Sequence, residues 1–183
     1  ENSLYEIGSL SKTFTGLILS SMVCDGTVSL QTPVKELLPK DSSLPKNGGD
    51  LITLEHLATH FSALPRIDFS AIPPDYNDPY AHYTQDMLYH FLSSHTLAEL
   101  PGSAFAYSNL GFGLLGHLLS LKEGLSYQQL LVKRITGPLR LSSTCTHTAM
   151  SEDLQSRFLP GYSIVSGEFR EVPHWHIPVL TGA

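Results

Sequence analysis

Ile7-Gly8-Ser9-Leu10-Ser11-Lys12-Thr13-Phe14-Thr15-Gly16 is the stretch from which the rest of the chain is read. Upstream, residues 4–7 form a short apolar run that reads as a strand entering a Gly-Ser corner. Downstream, Phe14, Leu17, Ile18 and Met22 recur at helical spacing and predict a helix over 12–24. Ser9 then stands where a strand gives way to a helix N-terminus, and Lys12 follows on the same face. A serine hydroxyl becomes a nucleophile when a base lies within hydrogen-bond reach, and an unprotonated lysine amine is such a base. The unpaired N–H groups of a helix start add partial positive charge, suited to an oxyanion forming beside Ser9. The plain alternative is that Ser9 only caps the helix, a role serine favours. The Ser-x-x-Lys pattern recurs at Ser43-Leu44-Pro45-Lys46, where a proline interrupts it inside a Gly-, Pro-, Ser- and Lys-rich loop. A helix cannot start there in the same way.

The chain has 183 residues, near the size of one domain, and 42% of them are hydrophobic, enough for a buried core. Seventeen acidic residues against eleven basic ones give a formal charge of -6. No basic stripe is present, which argues against nucleic-acid binding. No apolar run is long enough to span a bilayer, since Ser and Gly interrupt the best candidate at 14–24. The opening residues are acidic and polar and do not read as a signal peptide. The first residue is not Met and the chain opens in what reads as mid-strand, as an excised piece of a longer protein would. Cys24 and Cys145 are too few for a disulfide framework, and sequence leaves their pairing and the redox compartment open.

Along the chain, Asp25-Gly26 marks a turn and 27–30 a brief extended piece. Thr32-Pro33 opens a short helix over 33–38 that Pro39 stops. A polar loop over 40–50 follows, and Thr53 caps a helix over 54–60. Residues 61–83 are rich in Pro, Asp and Tyr and lack periodicity, a length of loop that is usually functional or disordered. Thr84 caps a helix over 85–93, with Met87, Leu88, Phe91 and Leu92 on its apolar face. Further helices are predicted over 110–121 and, capped by Ser126, over 127–135, ending at Gly137-Pro138. Residues 139–150 read as irregular, and 158–172 as a hairpin turning at Ser166-Gly167. No internal repeat or low-complexity tract is present.

Tyr107-Ser108-Asn109 is the chain's only Tyr-x-Asn, set between Pro101-Gly102-Ser103 and the helix over 110–121. A tyrosine there can relay a proton if nearby cations lower its pKa from about 10. Asn109 can hold a substrate amide carbonyl. In the plain alternative Tyr107 is a core edge and Asn109 a helix cap. A metal site is the weaker rival: His56 and His60 have helical zinc spacing, and His174-Trp175-His176 offers more nitrogen, but Leu57 stands where a zinc protease has Glu. His56 and His60 read better as one solvent-facing and one packing residue.

Taken with their flanks, these stretches resemble the serine β-lactamase and penicillin-binding-protein superfamily. The run Tyr5 to Thr15 is similar to its nucleophile segment. Ile52-Thr53-Leu54-Glu55-His56-Leu57-Ala58-Thr59-His60 is similar to a later helix, and the run Pro101 to Gly111 to its second motif. The Tyr-x-Asn form looks like the class C branch, which also holds DD-peptidases and β-lactamase-like esterases. The resemblance implies an α+β fold of the β-lactamase/transpeptidase type, here mainly the helical region with little of the antiparallel sheet. Residues 1–183 are then one partial domain, lacking N-terminal sheet strands and the C-terminal third-motif region. It also implies that Ser9 forms an acyl-enzyme, that Lys12 and Tyr107 share general-base and general-acid duty, and that Asn109 positions the substrate amide. The Ser9 N–H would supply half an oxyanion hole. The substrate would be a β-lactam, a D-Ala-D-Ala-type peptide or a small ester. No cofactor and no metal is implied, and an extracytoplasmic setting is favoured.

Two departures stand out. The family's His-Thr-Ser-Gly-Leu-Pro becomes His60-Phe61-Ser62-Ala63-Leu64-Pro65, and without that Gly the loop is expected to be shaped differently. The third motif, Lys-Thr-Gly or His-x-Gly, is absent, since Leu180 precedes Thr181-Gly182. The expectation is an active parent protein and no turnover by this stretch alone. The alternative is an inactive homologue that binds a peptide or β-lactam-like ligand or acts as a scaffold. Tyr76, Tyr80 and Tyr83 of the long loop are candidates to line an acyl or aromatic subsite.

Overall fold

Helix α5, Asn109–Glu123, is apolar on every side, and a helix of that kind belongs at the centre of a fold. Leu110, Leu114, Leu115, Leu118 and Leu119 are fully buried along it. The computed structural model describes residues 2–68, 70, 78–165 and 167–183. Around α5 pack α1 (Ser11–Cys24), α2 (Val34–Leu37), α3 (Leu54–Ala58) and α6 (Tyr127–Leu131). Helix α4 (Gln85–Ser94) adds Leu88, Phe91 and Leu92 to the same core, and α7 (Glu152–Ser156) lies near the surface. Among the described residues the only sheet is antiparallel and two-stranded, β1 (Gly161–Val165) against β2 (Glu168–Val172), with Ile164 opposite Phe169. The fold is therefore α+β and mainly helical.

Most helix starts are written locally. Thr53, Thr84, Ser108, Ser126 and Ser151 each accept a backbone N–H from the first turn that follows them. Gly124 ends α5 with φ 66°, the left-handed position that glycine takes without strain. Arg134 ties two helix ends together by pairing with Asp25 and Glu123.

The chain's last residues lie in a notch cut into α5. A side chain at Gly113 would meet Leu180 Cβ at 2.6 Å, and one at Gly116 would meet Gly182 Cα at 3.0 Å. Thr15 donates to the Gly182 carbonyl at 2.7 Å. Its single proton is thereby used, so Tyr127 donates to Thr15 across their 2.6 Å contact.

Several expectations are corrected. Residues 4–7 form no strand; Leu4 alone makes a bridge, parallel to Phe158, and Ile7 already turns toward the helix. The extended piece at 27–30 pairs with no strand among the described residues. The helix over 54–60 stops at Ala58 because His60 takes φ 63°. Residues 127–135 begin as α6 but widen into a π-turn at Val132–Thr136. A 3-10 turn, His147–Ala149, interrupts the irregular stretch. Ala63 holds φ 59°, so the loop keeps the left-handed backbone without the glycine. The hairpin forms where expected; Ser166 of its turn and Tyr76 of the long loop lie outside the described residues.

Candidate active site

Gly8, at φ 51°, turns the chain into a 3-10 turn, Gly8–Leu10, that runs directly into α1. A side chain added at Gly8 would meet no atom within 4 Å, so the backbone angle alone calls for glycine. Ser9 sits in that turn, exposed, and its side chain caps nothing. One turn along α1, Lys12 is buried at 9% exposure and returns its side chain to the serine, Nζ donating to Ser9 Oγ at 3.2 Å. Lys12 also donates to Asn109 Oδ1 at 2.9 Å, across 97 residues of chain. Tyr107 arrives from the far side and its hydroxyl donates to Ser9 Oγ at 2.7 Å. The structure thus brings together all four residues singled out in the sequence: Ser9, Lys12, Tyr107 and Asn109. The Ser9 N–H donates to no acceptor among the described residues.

The start of α5 fixes Asn109. Ser108, not Asn109, caps the helix, accepting from Gly111 N–H at 2.8 Å and donating to the Pro65 carbonyl at 2.6 Å. The Arg66 carbonyl accepts the N–H groups of both Asn109 and Leu110. Freed from capping, the Asn109 amide faces Lys12. Burial opposes ionisation of the Tyr107 phenol and is the strongest single influence on it. The side chains of Lys12 and Ser9, and the charges of Lys12 and Arg66, together outweigh burial and hold the phenol below the usual tyrosine range. The Arg66 guanidinium lies 5.2 Å from the centre of the Tyr107 ring, and Lys12 Nζ 5.0 Å. Arg66 was missed in the sequence, although it directly follows the Leu64-Pro65 of the matched segment.

Ser9, Lys12 and Asn109 open into a cavity of about 760 Å³ whose walls include Leu10, Tyr80, His147 and Trp175. Tyr80, itself largely buried, is thus a wall residue, as expected, whereas Tyr83 does not line the cavity and donates to Asp68 Oδ2. Two carboxylates hold the tail that bears Trp175: Glu6 accepts the Trp175 N–H, and Asp78 accepts the His176 N–H and meets its ring. His174 Nδ1 lies 3.0 Å from Glu6 but out of line for a hydrogen bond, and its ring stacks on Phe158. Among the described residues no three His, Cys, Asp or Glu side chains converge as a metal-ligand set. His56 instead closes a capping box with Thr53. Cys24 and Cys145 are unpaired. No helix among the described residues is long and apolar enough to cross a membrane.

A Gly-Ser turn with a buried lysine behind it, met by a tyrosine and an asparagine from the start of a central helix, is set on a fold of the β-lactamase/transpeptidase type. The family description Beta-lactamase matches residues 1–166, and the chain belongs to that family. It is 36% identical over 143 residues to the D-alanyl-D-alanine-carboxypeptidase/endopeptidase AmpH of Escherichia coli K12, covering 78% of this chain and 37% of that protein. It is 31% identical over 153 residues to a beta-lactamase of the same organism, covering 84% of this chain and 37% of that protein. A solved beta-lactamase/D-alanine carboxypeptidase of Yersinia pestis superposes with a TM-score of 0.81 at 30% identity, over 99% of this chain and 48% of that one. A class C beta-lactamase superposes with a TM-score of 0.77 at 26% identity, over 100% and 46%. The chain spans less than half the length of these relatives.

Proposed function

We propose that the protein is an acyl-transferring serine hydrolase of the β-lactamase type. Ser9 Oγ attacks a carbonyl carbon, its proton passing to Lys12 or Tyr107 in its unprotonated form, the neutral amine or the phenolate, and an acyl-enzyme forms as the leaving group takes that proton back. Asn109 holds the substrate amide, and the free Ser9 N–H faces the developing oxyanion. Water then releases the acyl group. The observation that supports this most is the convergence on one hydroxyl: Lys12 at 3.2 Å, and Tyr107 at 2.7 Å from 98 residues along the chain from Ser9. The substrate class is a β-lactam, a D-Ala-D-Ala-type peptide or a small ester, and the names of the relatives point to the first two. An extracytoplasmic setting and a third motif outside these 183 residues belong to the same reading. Incubating the full-length protein with a fluorophosphonate or a β-lactam, followed by peptide mass mapping, tests it. A mass shift on Ser9 is expected; an unmodified Ser9 at high probe concentration would overturn the reading in favour of a binding homologue.

A further inference from the structure

We infer that His60 is the positioning residue for Tyr107, building on the acyl-transfer reading above. Its contacts bracket the tyrosine on both sides in the chain. The His60 carbonyl accepts the Ala106 N–H at 2.8 Å, and His60 Nδ1 accepts the Ser108 N–H at 3.1 Å. Between these two anchors the imidazole lies against the phenol ring, centroids 4.5 Å apart. Phe105 and Phe112 close around the same imidazole, at 5.7 and 5.0 Å. Backbone on each side and ring face together set where the Tyr107 hydroxyl falls, which is on Ser9 Oγ.

The arrangement constrains His60 in two ways. Its φ of 63° is left-handed, a conformation that Asn tolerates and most other residues resist. Its Nδ1 accepts a backbone N–H, so the ring is neutral with its proton on Nε2. Burial, and next the charge of Lys12, push the imidazole below the usual histidine range and keep it neutral. The other titratable or charged groups around the pair are Tyr107 itself and Arg66, beside the phenol ring. Protonation would turn Nδ1 from acceptor to donor and set it against the Ser108 N–H. A misplacement on the scale of 1 Å costs roughly a hundredfold in rate where geometry governs proton transfer.

The experiment measures the rate constant for fluorophosphonate acylation of Ser9 in the full-length protein, in wild type, His60→Ala, His60→Asn, Tyr107→Phe and the double variant His60→Ala/Tyr107→Phe. His60→Ala is expected to acylate about ten- to a hundredfold more slowly. His60→Asn, which keeps an acceptor near the Nδ1 position and tolerates the backbone, is expected to recover most of that rate. The double variant is expected to be no slower than Tyr107→Phe alone, because His60 acts through the phenol. Should His60→Ala fail to fold, the pH profile of His60→Asn decides, with a shallower fall in rate on the acid side expected, the remainder belonging to the Lys12–Tyr107 base. A His60→Ala rate within about twofold of wild type, losses that multiply in the double variant, or an unchanged acid limb in His60→Asn would each overturn the inference while Ser9 acylation stands. A wild type that does not acylate overturns the hydrolase reading, and this inference with it.

Discussion

The chain spells Ser-x-x-Lys twice, and the backbone differs at the two copies. At Ser9, a left-handed glycine and a 3-10 turn feed α1, so Lys12 winds back over the serine and is buried there. At Ser43, Pro45 is buried and the exposed Lys46 lies in an extended bridge, its N–H donating to the His95 carbonyl and its carbonyl accepting from Leu97. A lysine three residues after a serine faces it only on a helical backbone. The first copy is also met by Tyr107 and Asn109, whereas nothing comparable is recorded at Ser43 among the described residues. The convergence at Ser9 comes from the turn that precedes the letters and from the distant helix that answers them.

Breaking the first copy is expected to have the largest effect. Ser9→Ala abolishes acylation and Lys12→Ala nearly does so, read by probe labelling, while Ser43→Ala and Lys46→Ala label as wild type does. Tyr107→Phe removes one hydroxyl and is expected to slow acylation by about 10²–10⁴-fold, the range for a lost acid–base group, with its unfolding midpoint little changed. A histidine flanks each copy, His60 at the first and His95 at the second, and burial pushes both below the usual range. Burial does the same to His117 and His147. The unfolded chain therefore takes up protons before the folded one does. Their contribution to stability is complete above about pH 6.5 and falls as pH drops through the lowered folded values. Urea unfolding between pH 8 and pH 5 should show this decline. His60→Asn and His95→Asn should each flatten it, and only the first should alter the acid limb of acylation. Ala63→Gly relieves a left-handed alanine near the first copy and should stabilise by about 1 kcal/mol in the same assay. Smallest of all, Ser43→Ala should shift stability by less than about 0.5 kcal/mol, as exposed substitutions usually do.

What could be read in the sequence was what is locally encoded. Apolar spacing located α1 and α5, Thr53, Thr84 and Ser126 marked the starts of α3, α4 and α6, and the two motifs named the side chains that meet at Ser9. The misses share a different cause. Leu4 makes its bridge to Phe158, and no local pattern announces a bridge across that distance. His60 was read as a packing residue on a helix, but its left-handed backbone ends that helix early and swings it under Tyr107. Tyr80 and Tyr83 look alike in a loop and both end up buried, but Tyr83 reaches Asp68 whereas Tyr80 lines the cavity. α7 was overlooked although Ser151 precedes Glu152 and Asp153, an acid-rich first turn that favours a helix start.

The notch on α5 has a bearing on how the cavity comes into being during folding. Capping boxes and helix turns close loops of a few residues, which is fast, whereas the Thr15–Gly182 hydrogen bond closes one of 167. Contacts of such separation form late along the route to the native state. Leu180 and Trp175 are walls of the chamber above Ser9, so that chamber is expected to acquire its boundary after Ser9 and Lys12 are already paired.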